Sequence, residues 1–140
     1  MPSADLLLDT SCAVALLSPD HRAHDLVEAY CEGKTLGLSG HALFETYAVL
    51  TRTPNLKVSP ADAAALIDDN FTANAYLSAP RAARLPAELA QADIGGGSVY
   101  DALVGAAAAE AGIALLTLDA RAERVYAALG VAHVTLRQPD

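Results

Sequence analysis

Cysteine is scarce in this chain: Cys12 and Cys31 are the only two, and no C-x-x-C pair occurs. A disulfide scaffold is thereby excluded, as is a zinc or dithiol motif built on paired cysteines. No uninterrupted apolar stretch reaches the ~18 residues of a membrane-spanning helix, and no basic segment precedes the apolar Leu6–Leu8, which Asp5 and Asp9 bracket. The expectation is a cytoplasmic protein with no membrane partner. Positive charge is also short. Nine Lys+Arg stand against seventeen Asp+Glu, a formal charge of −8, and the only lysines are Lys34 and Lys57. A diffuse basic surface for nucleic acid is therefore excluded, and contact with a polyanion would need another source of charge, such as a metal held by carboxylates.

What the chain has is apolar material: 53% of its 140 residues are hydrophobic and its mean hydropathy is +0.27, enough for a core and room for a single domain over residues 1–140. Leu6–Leu8 is a short apolar run ended by Asp9, the pattern of a strand buried on both faces. A helix is expected over Cys12–Leu17, capped by Thr10 or Ser11, and another over His21–Glu32, stopped by Gly33. Thr35–Leu38 reads as a strand, and Ser39 opens a helix to about Arg52. Ser59-Pro60-Ala61-Asp62 is a strong helix start, with cap, proline and an acid in place. Ala73–Leu77 reads as a strand, Ala82–Gln91 as a short helix, and Gly95-Gly96-Gly97 as a turn feeding a nearly all-apolar helix, Ser98–Ala111. Strand Ile113–Thr117, helix Arg121–Leu129 and strand Val131–Leu136 complete the chain. Strands alternating with helices specify an α/β fold with a parallel sheet.

Four acids sit where a solvated charge is not expected. Asp9 and Asp119 each follow an apolar strand, and the carboxyl ends of parallel strands share one edge, where ligands bind; either acid is also placed to cap the next helix. Asp101 lies in the first turn of the apolar helix Ser98–Ala111, as a buried carboxylate in need of a partner or as half of a capping box with Ser98. Glu45 lies in a helix apolar nearly all round, and its neighbours one turn away, His41, Ala42, Ala48 and Val49, include no Lys or Arg; an exposed polar edge is its alternative. Carboxylates brought together this way repel, and divalent Mg²⁺ or Mn²⁺, which prefer oxygen ligands and water, would relieve the repulsion. The chemistry suited to such a site is phosphoryl transfer.

The succession Leu-Leu-Leu-Asp9-Thr-Ser, Phe-Glu45, Gly-Gly-Gly-Ser-Val-Tyr-Asp101-Ala-Leu and Leu-Leu-Thr-Leu-Asp119-Ala-Arg resembles the PIN-domain ribonucleases, in particular their VapC branch, the toxins of type II toxin–antitoxin pairs. The resemblance runs from Asp5 to about Val134. It implies a three-layer α/β/α fold around a mainly parallel five-stranded sheet, usually dimeric. It further implies an Mg²⁺- or Mn²⁺-dependent endoribonuclease with RNA as substrate and an antitoxin as partner. By resemblance Asp9, Glu45, Asp101 and Asp119 are the metal-site acids, and Thr10, Ser11 and Thr117 orient ligands or water. An inactive PIN-like module that only binds a protein partner is the alternative.

Arg121 and Arg124 are placed to clamp a phosphate or to pair with Glu123 or Glu110. His21 and His24 have metal-like spacing but sit at a helix start beside acids, where a solvated role is favoured; His41 and His133 read as structural. Cys12 lacks the arginine six residues on that a phosphotyrosine-phosphatase loop needs, since position 18 is Ser. Gly95-Gly96-Gly97 lacks a P-loop ending. A dehalogenase-like phosphatase needs an Asp at position 11, which is Ser, and that reading and a receiver domain both want a late lysine.

Overall fold

The structure, a computed structural model, describes residues 3–54 and 56–138. In chain order the elements are β1 (Leu6–Leu8), α1 (Thr10–Leu17), α2 (His24–Cys31), β2 (Leu36–Leu38), α3 (Ala42–Arg52), α4 (Pro60–Asn70), α5 (Ala79–Gln91), α6 (Ser98–Ala111), β3 (Leu115–Thr117), α7 (Ala120–Ala128) and β4 (His133–Thr135). The strands form a wholly parallel sheet in the order β2-β1-β3-β4, with Leu7 opposite Gly37 and Leu115, and Leu116 opposite Val134.

Alternation along β1 divides the core into two layers. Leu6 and Leu8 point into one cluster with Cys12, Val27, Leu50 and Ile67, which belongs to α1–α4. Leu7 points into the other with Val104, Ala108 and Tyr126, which belongs to α6 and α7. Helices therefore cover both faces, which is why β1, β2 and β3 carry no polar alternation. Helix α6 is the central one: Ala102 and Val104 through Ala108 are all buried, as its lack of a polar side requires. Gly105 is needed there, since a Cβ would lie 2.9 Å from Tyr126 Cδ1.

The sheet has four strands among the described residues rather than the expected five. Ala73–Leu77 contributes an isolated bridge, Ser39 to Ala75, beside β2. Its Ala-Asn-Ala sequence has poor strand propensity, and the Asn74 side chain, not the backbone, accepts the Leu38 N–H at 2.8 Å. Gly37 permits this close pass, because a Cβ there would sit 2.0 Å from the Ala73 carbonyl oxygen.

Several helix starts differ from expectation. Asp9, not Thr10 or Ser11, caps α1, accepting the Cys12 N–H. Helix α2 begins only at His24, after turns at His21 and His24. Ser39 does not cap α3; its hydroxyl donates to the Val104 carbonyl at 2.6 Å and so ties β2 to α6. Helix α5 starts earlier than expected because Ser78 caps it through the Arg81 N–H. Ser59 caps α4 as expected.

Candidate active site

The carboxyl ends of β1 and β3 deliver Asp9 and Asp119 to one edge of the sheet, where each becomes the N-cap of the helix that follows. The capping reading holds for both acids, and both also line the cleft at this edge. Asp9 Oδ1 accepts the Cys12 N–H at 3.3 Å and the Ser11 hydroxyl at 2.5 Å, while Oδ2 accepts the Tyr126 hydroxyl at 3.0 Å. Asp119 Oδ1 accepts the Arg121 N–H at 2.9 Å, and the Asp119 N–H donates to Thr117 Oγ1 at 3.0 Å. Ser11 is also a bridge, since its oxygen accepts the Leu118 N–H at 3.0 Å and so links the β1 and β3 ends.

Asp101 and Glu45 arrive from the first turns of α6 and α3. The capping box with Ser98 does not form: Gly97 is the N-cap and makes no side-chain bond, which leaves the Asp101 carboxylate free to face the cleft. Glu45 is half-buried, and its largely apolar helix is only partly covered, with Phe44 64% exposed and Tyr47 39%. Together Asp9, Glu45, Asp101 and Asp119 line one cleft of about 220 Å³ with Thr10, Ser11 and Val104.

Burial and the neighbouring acids act together on Asp101. Burial first, then the charges of Asp119, Asp9 and Glu45, push its carboxyl up to about 6. Burial also raises the Asp9 carboxyl, opposed by its bonds from Ser11, Thr117, Cys12 and Tyr126. Tyr126 is itself buried, and its hydroxyl is held protonated by burial and by the Asp9 charge.

The donor set consists of hard oxygens. Thr10 Oγ1, buried and without a hydrogen-bond partner, adds one more to the wall. Among the described residues no three His, Cys, Asp or Glu side chains converge into a ready-made cage. Such a set fits an ion that keeps several waters and takes one or two carboxylates directly, the habit of small divalent cations.

Arg121 stands at the rim, with its side chain 90% exposed and Nε 3.9 Å from Asp119 Oδ1. Arg124 is exposed, and Glu123 pairs with Arg137 and His133 instead. The remaining candidates do not join the cleft. His21 Nδ1 accepts the Ala23 N–H, whereas His24 contacts the Ala15 carbonyl and Glu28, so the two imidazoles do not converge. His41 stacks on Tyr100 with ring centroids 5.3 Å apart. His133 Nδ1 lies 2.8 Å from the Val131 carbonyl. Cys12 is fully buried and burial raises its thiol, the opposite of an activated nucleophile. A larger cleft, about 590 Å³ beside Ser3 and Thr72, carries Glu110 as its one carboxylate.

Tyr126 is the residue that sequence reasoning missed. Its one sequence signal is position, seven residues after Asp119 and so on the same face of α7.

The model of the PIN domain matches residues 6–128. Ribonuclease VapC27 of Mycobacterium tuberculosis is 48% identical over 132 residues, covering 94% of this chain and 96% of that protein. Ribonuclease VapC40 of the same species is 40% identical over 127 residues, covering 88% and 92%. Among solved structures, M. tuberculosis VapC20, described as a sarcin-ricin loop cleaving toxin, superposes with a TM-score of 0.70 at 22% identity, covering 94% of this chain and 99% of that one. VapBC2 from Rickettsia felis, bound to a DNA fragment from its promoter, gives 0.67 at 15% identity, covering 94% and 98%.

Proposed function

The chain belongs to the PIN-domain family, and from that premise we propose that it is a divalent-metal-dependent endoribonuclease, the toxin of a type II toxin–antitoxin pair. Asp9, Glu45, Asp101 and Asp119 are its metal-site carboxylates. The observation that carries this reading is their convergence on one cleft from separate elements, where burial and then the neighbouring carboxylate charges lift Asp101 to about 6. Mg²⁺ or Mn²⁺ is the ion suited to this oxygen-only set.

A divalent ion bound there supplies water activation and charge stabilisation for in-line hydrolysis of a phosphodiester. The chain's own residues prepare the place. Asp9 is fixed in orientation by Tyr126, Ser11 and the Cys12 N–H, so its carboxylate does not reorganise when substrate arrives. Asp101, Asp119 and Glu45 complete the negative field that makes the site selective for cations. Thr117 anchors the turn that presents Asp119. Arg121, exposed at the rim with only Nε near Asp119, has its terminal guanidinium nitrogens to meet a non-bridging phosphate oxygen.

The substrate is RNA, and the partner is a cognate antitoxin that offers an apolar segment to a groove and a basic side chain to the acids. The working form is a homodimer in the cytoplasm; no helix of the described residues is long and apolar enough to cross a membrane. The test is cleavage of bacterial total RNA in Mn²⁺ beside the Asp101→Ala variant and an EDTA control, with new 5′ ends mapped. Discrete cuts by wild type with metal alone are expected. Absence of cuts together with Mn²⁺ binding no tighter than that of Asp9→Asn would replace this reading by a binding-only module.

A further inference from the structure

Seventeen acids outnumber nine cations in this protein, yet beside the acidic cleft lies a second one with no acid in its wall among the described residues. This cleft, of about 430 Å³, is lined by Arg22, Arg137, His21 and Gln138 over a floor that includes Leu118 and Ala120. Those two floor residues are the chain neighbours of Asp119, so a single residue separates the basic cleft from the acidic one. Arg22 is exposed and makes no ion pair among the described residues. Arg137 Nη2 lies 3.5 Å from Glu123, but its side chain is 72% exposed and keeps other guanidinium donors free. His21 Nδ1 accepts the Ala23 N–H at 3.0 Å, which leaves Nε2 as the donor. Thr135 Oγ1, also in this wall, is buried without a hydrogen-bond partner.

We propose that the basic cleft holds the backbone phosphate next to the scissile one, so that a single RNA strand crosses Asp119 from the acidic cleft onto Arg22 and Arg137. This rests on the nuclease reading above and deepens it. A polyanion reaching the carboxylates meets a repulsive protein everywhere that cations do not compensate. Two guanidiniums, each able to grip a phosphate with a two-pronged fork, provide that compensation at the adjoining position. Arg22 sits in the turn before α2 and Arg137 follows β4, so the strand is clamped between two separate parts of the chain.

The test is anisotropy of a fluorescein-labelled random-sequence single-stranded RNA of about 12 nucleotides, in Ca²⁺, across a salt series. Wild type, Arg22→Ala, Arg137→Ala and the double variant are compared, with Arg84→Ala on the exposed face of α5 as control. Each cleft variant is expected to weaken binding several-fold at about 0.1 M salt and to reduce the slope of log affinity against log salt by about one, while Arg84→Ala changes neither. Melting temperatures of the variants matching wild type exclude misfolding as the cause. Wild-type cleavage of total RNA in Mn²⁺ is run in parallel. If wild type cuts while the double variant binds and cuts like it, the phosphate site is overturned and the nuclease reading stands. If the double variant keeps RNA affinity but changes its elution volume, the cleft is a protein contact and the proposal is likewise overturned. Failure of wild type to cut, together with Mn²⁺ binding no tighter than that of Asp9→Asn, defeats the nuclease reading and the proposal with it.

Discussion

Tyr126 Oη donates a 3.0 Å hydrogen bond to Asp9 Oδ2, joining the last helix to the end of the first strand across 117 residues of chain. Both partners are buried, so the bond is a positioning device for the deepest carboxylate of the site. Tyr126→Phe removes the donor while keeping the ring. The expected result is a loss of about 1–3 kcal/mol in stability, because Oδ2 loses its buried donor, and a fall in cleavage rate of about tenfold or more. Denaturant melts and single-turnover RNA cleavage measure the two. Wild-type cleavage with reduced stability would make the bond purely structural.

Gly105→Ala approaches the same tyrosine from behind. The added Cβ would lie 2.9 Å from Tyr126 Cδ1 and 3.2 Å from Val131 Cγ2. Neither is the loose end of a flexible side chain, so the substitution is expected to cost about 1–3 kcal/mol by overpacking. Cleavage should fall with it as the ring is displaced. A double variant with Tyr126→Phe should lose less than the sum of the singles, which a mutant cycle reads directly.

Ser11→Ala breaks two contacts at once, the donation to Asp9 and the acceptance of the Leu118 N–H. The orphaned backbone N–H is expected to cost about 1–3 kcal/mol. Hydrogen exchange at Leu118 should rise in the variant, a local signature that a general loss of stability would not produce.

Proton binding at Asp101 fixes a sign for stability against pH. Its carboxyl is at about 6 in the fold, against an ordinary 3.8, so between those two values the metal-free folded protein holds a proton that the unfolded chain has released. The stability contributed by that proton is fully present below the unfolded value and is lost as pH rises through about 6. Wild type minus Asp101→Asn is the informative difference. At about pH 7.5 the metal-free variant should melt a few degrees above wild type, and at about pH 4 the gap should close.

Divalent metal should reverse that ranking. At a concentration a hundredfold above its dissociation constant, Mn²⁺ stabilises the folded wild type by about 2.7 kcal/mol. Asp9→Asn and Asp101→Asn should show little of this, and EDTA should abolish it. An equal upward shift in wild type and both variants would remove these carboxylates from the metal site.

The four acids were legible in sequence because each interrupts an apolar context, at a strand end for Asp9 and Asp119 and inside an apolar helix for Asp101 and Glu45. Whether Asp9 caps a helix or serves a site was not decidable from sequence, since the choice depends on where each carboxylate oxygen points. Tyr126 was invisible as a site residue for another reason: an aromatic in an amphipathic helix reads as core, and its partner is distant in sequence. The basic cleft was equally hidden, because Arg22 and Arg137 lie at opposite ends of the chain and only the fold brings them together. The fifth strand was over-read from Ala73–Leu77, where short side chains gave an extended segment without a ladder.

That segment has an effect on how the protein meets its own kind. A parallel sheet ends in a row of free amides and carbonyls that invites another strand to zip on, and β2 forms such an end. Here the passing chain takes up that row piecemeal: the Asn74 amide oxygen caps Leu38, and the Leu36 carbonyl receives the N–H groups of Thr72 and Ala73. Gly37 lets the cover lie flat against the strand. The border is thereby sealed against runaway stacking by a loop that cannot itself template further growth. An alanine at Gly37 would lift that seal, and self-association is the failure to watch for.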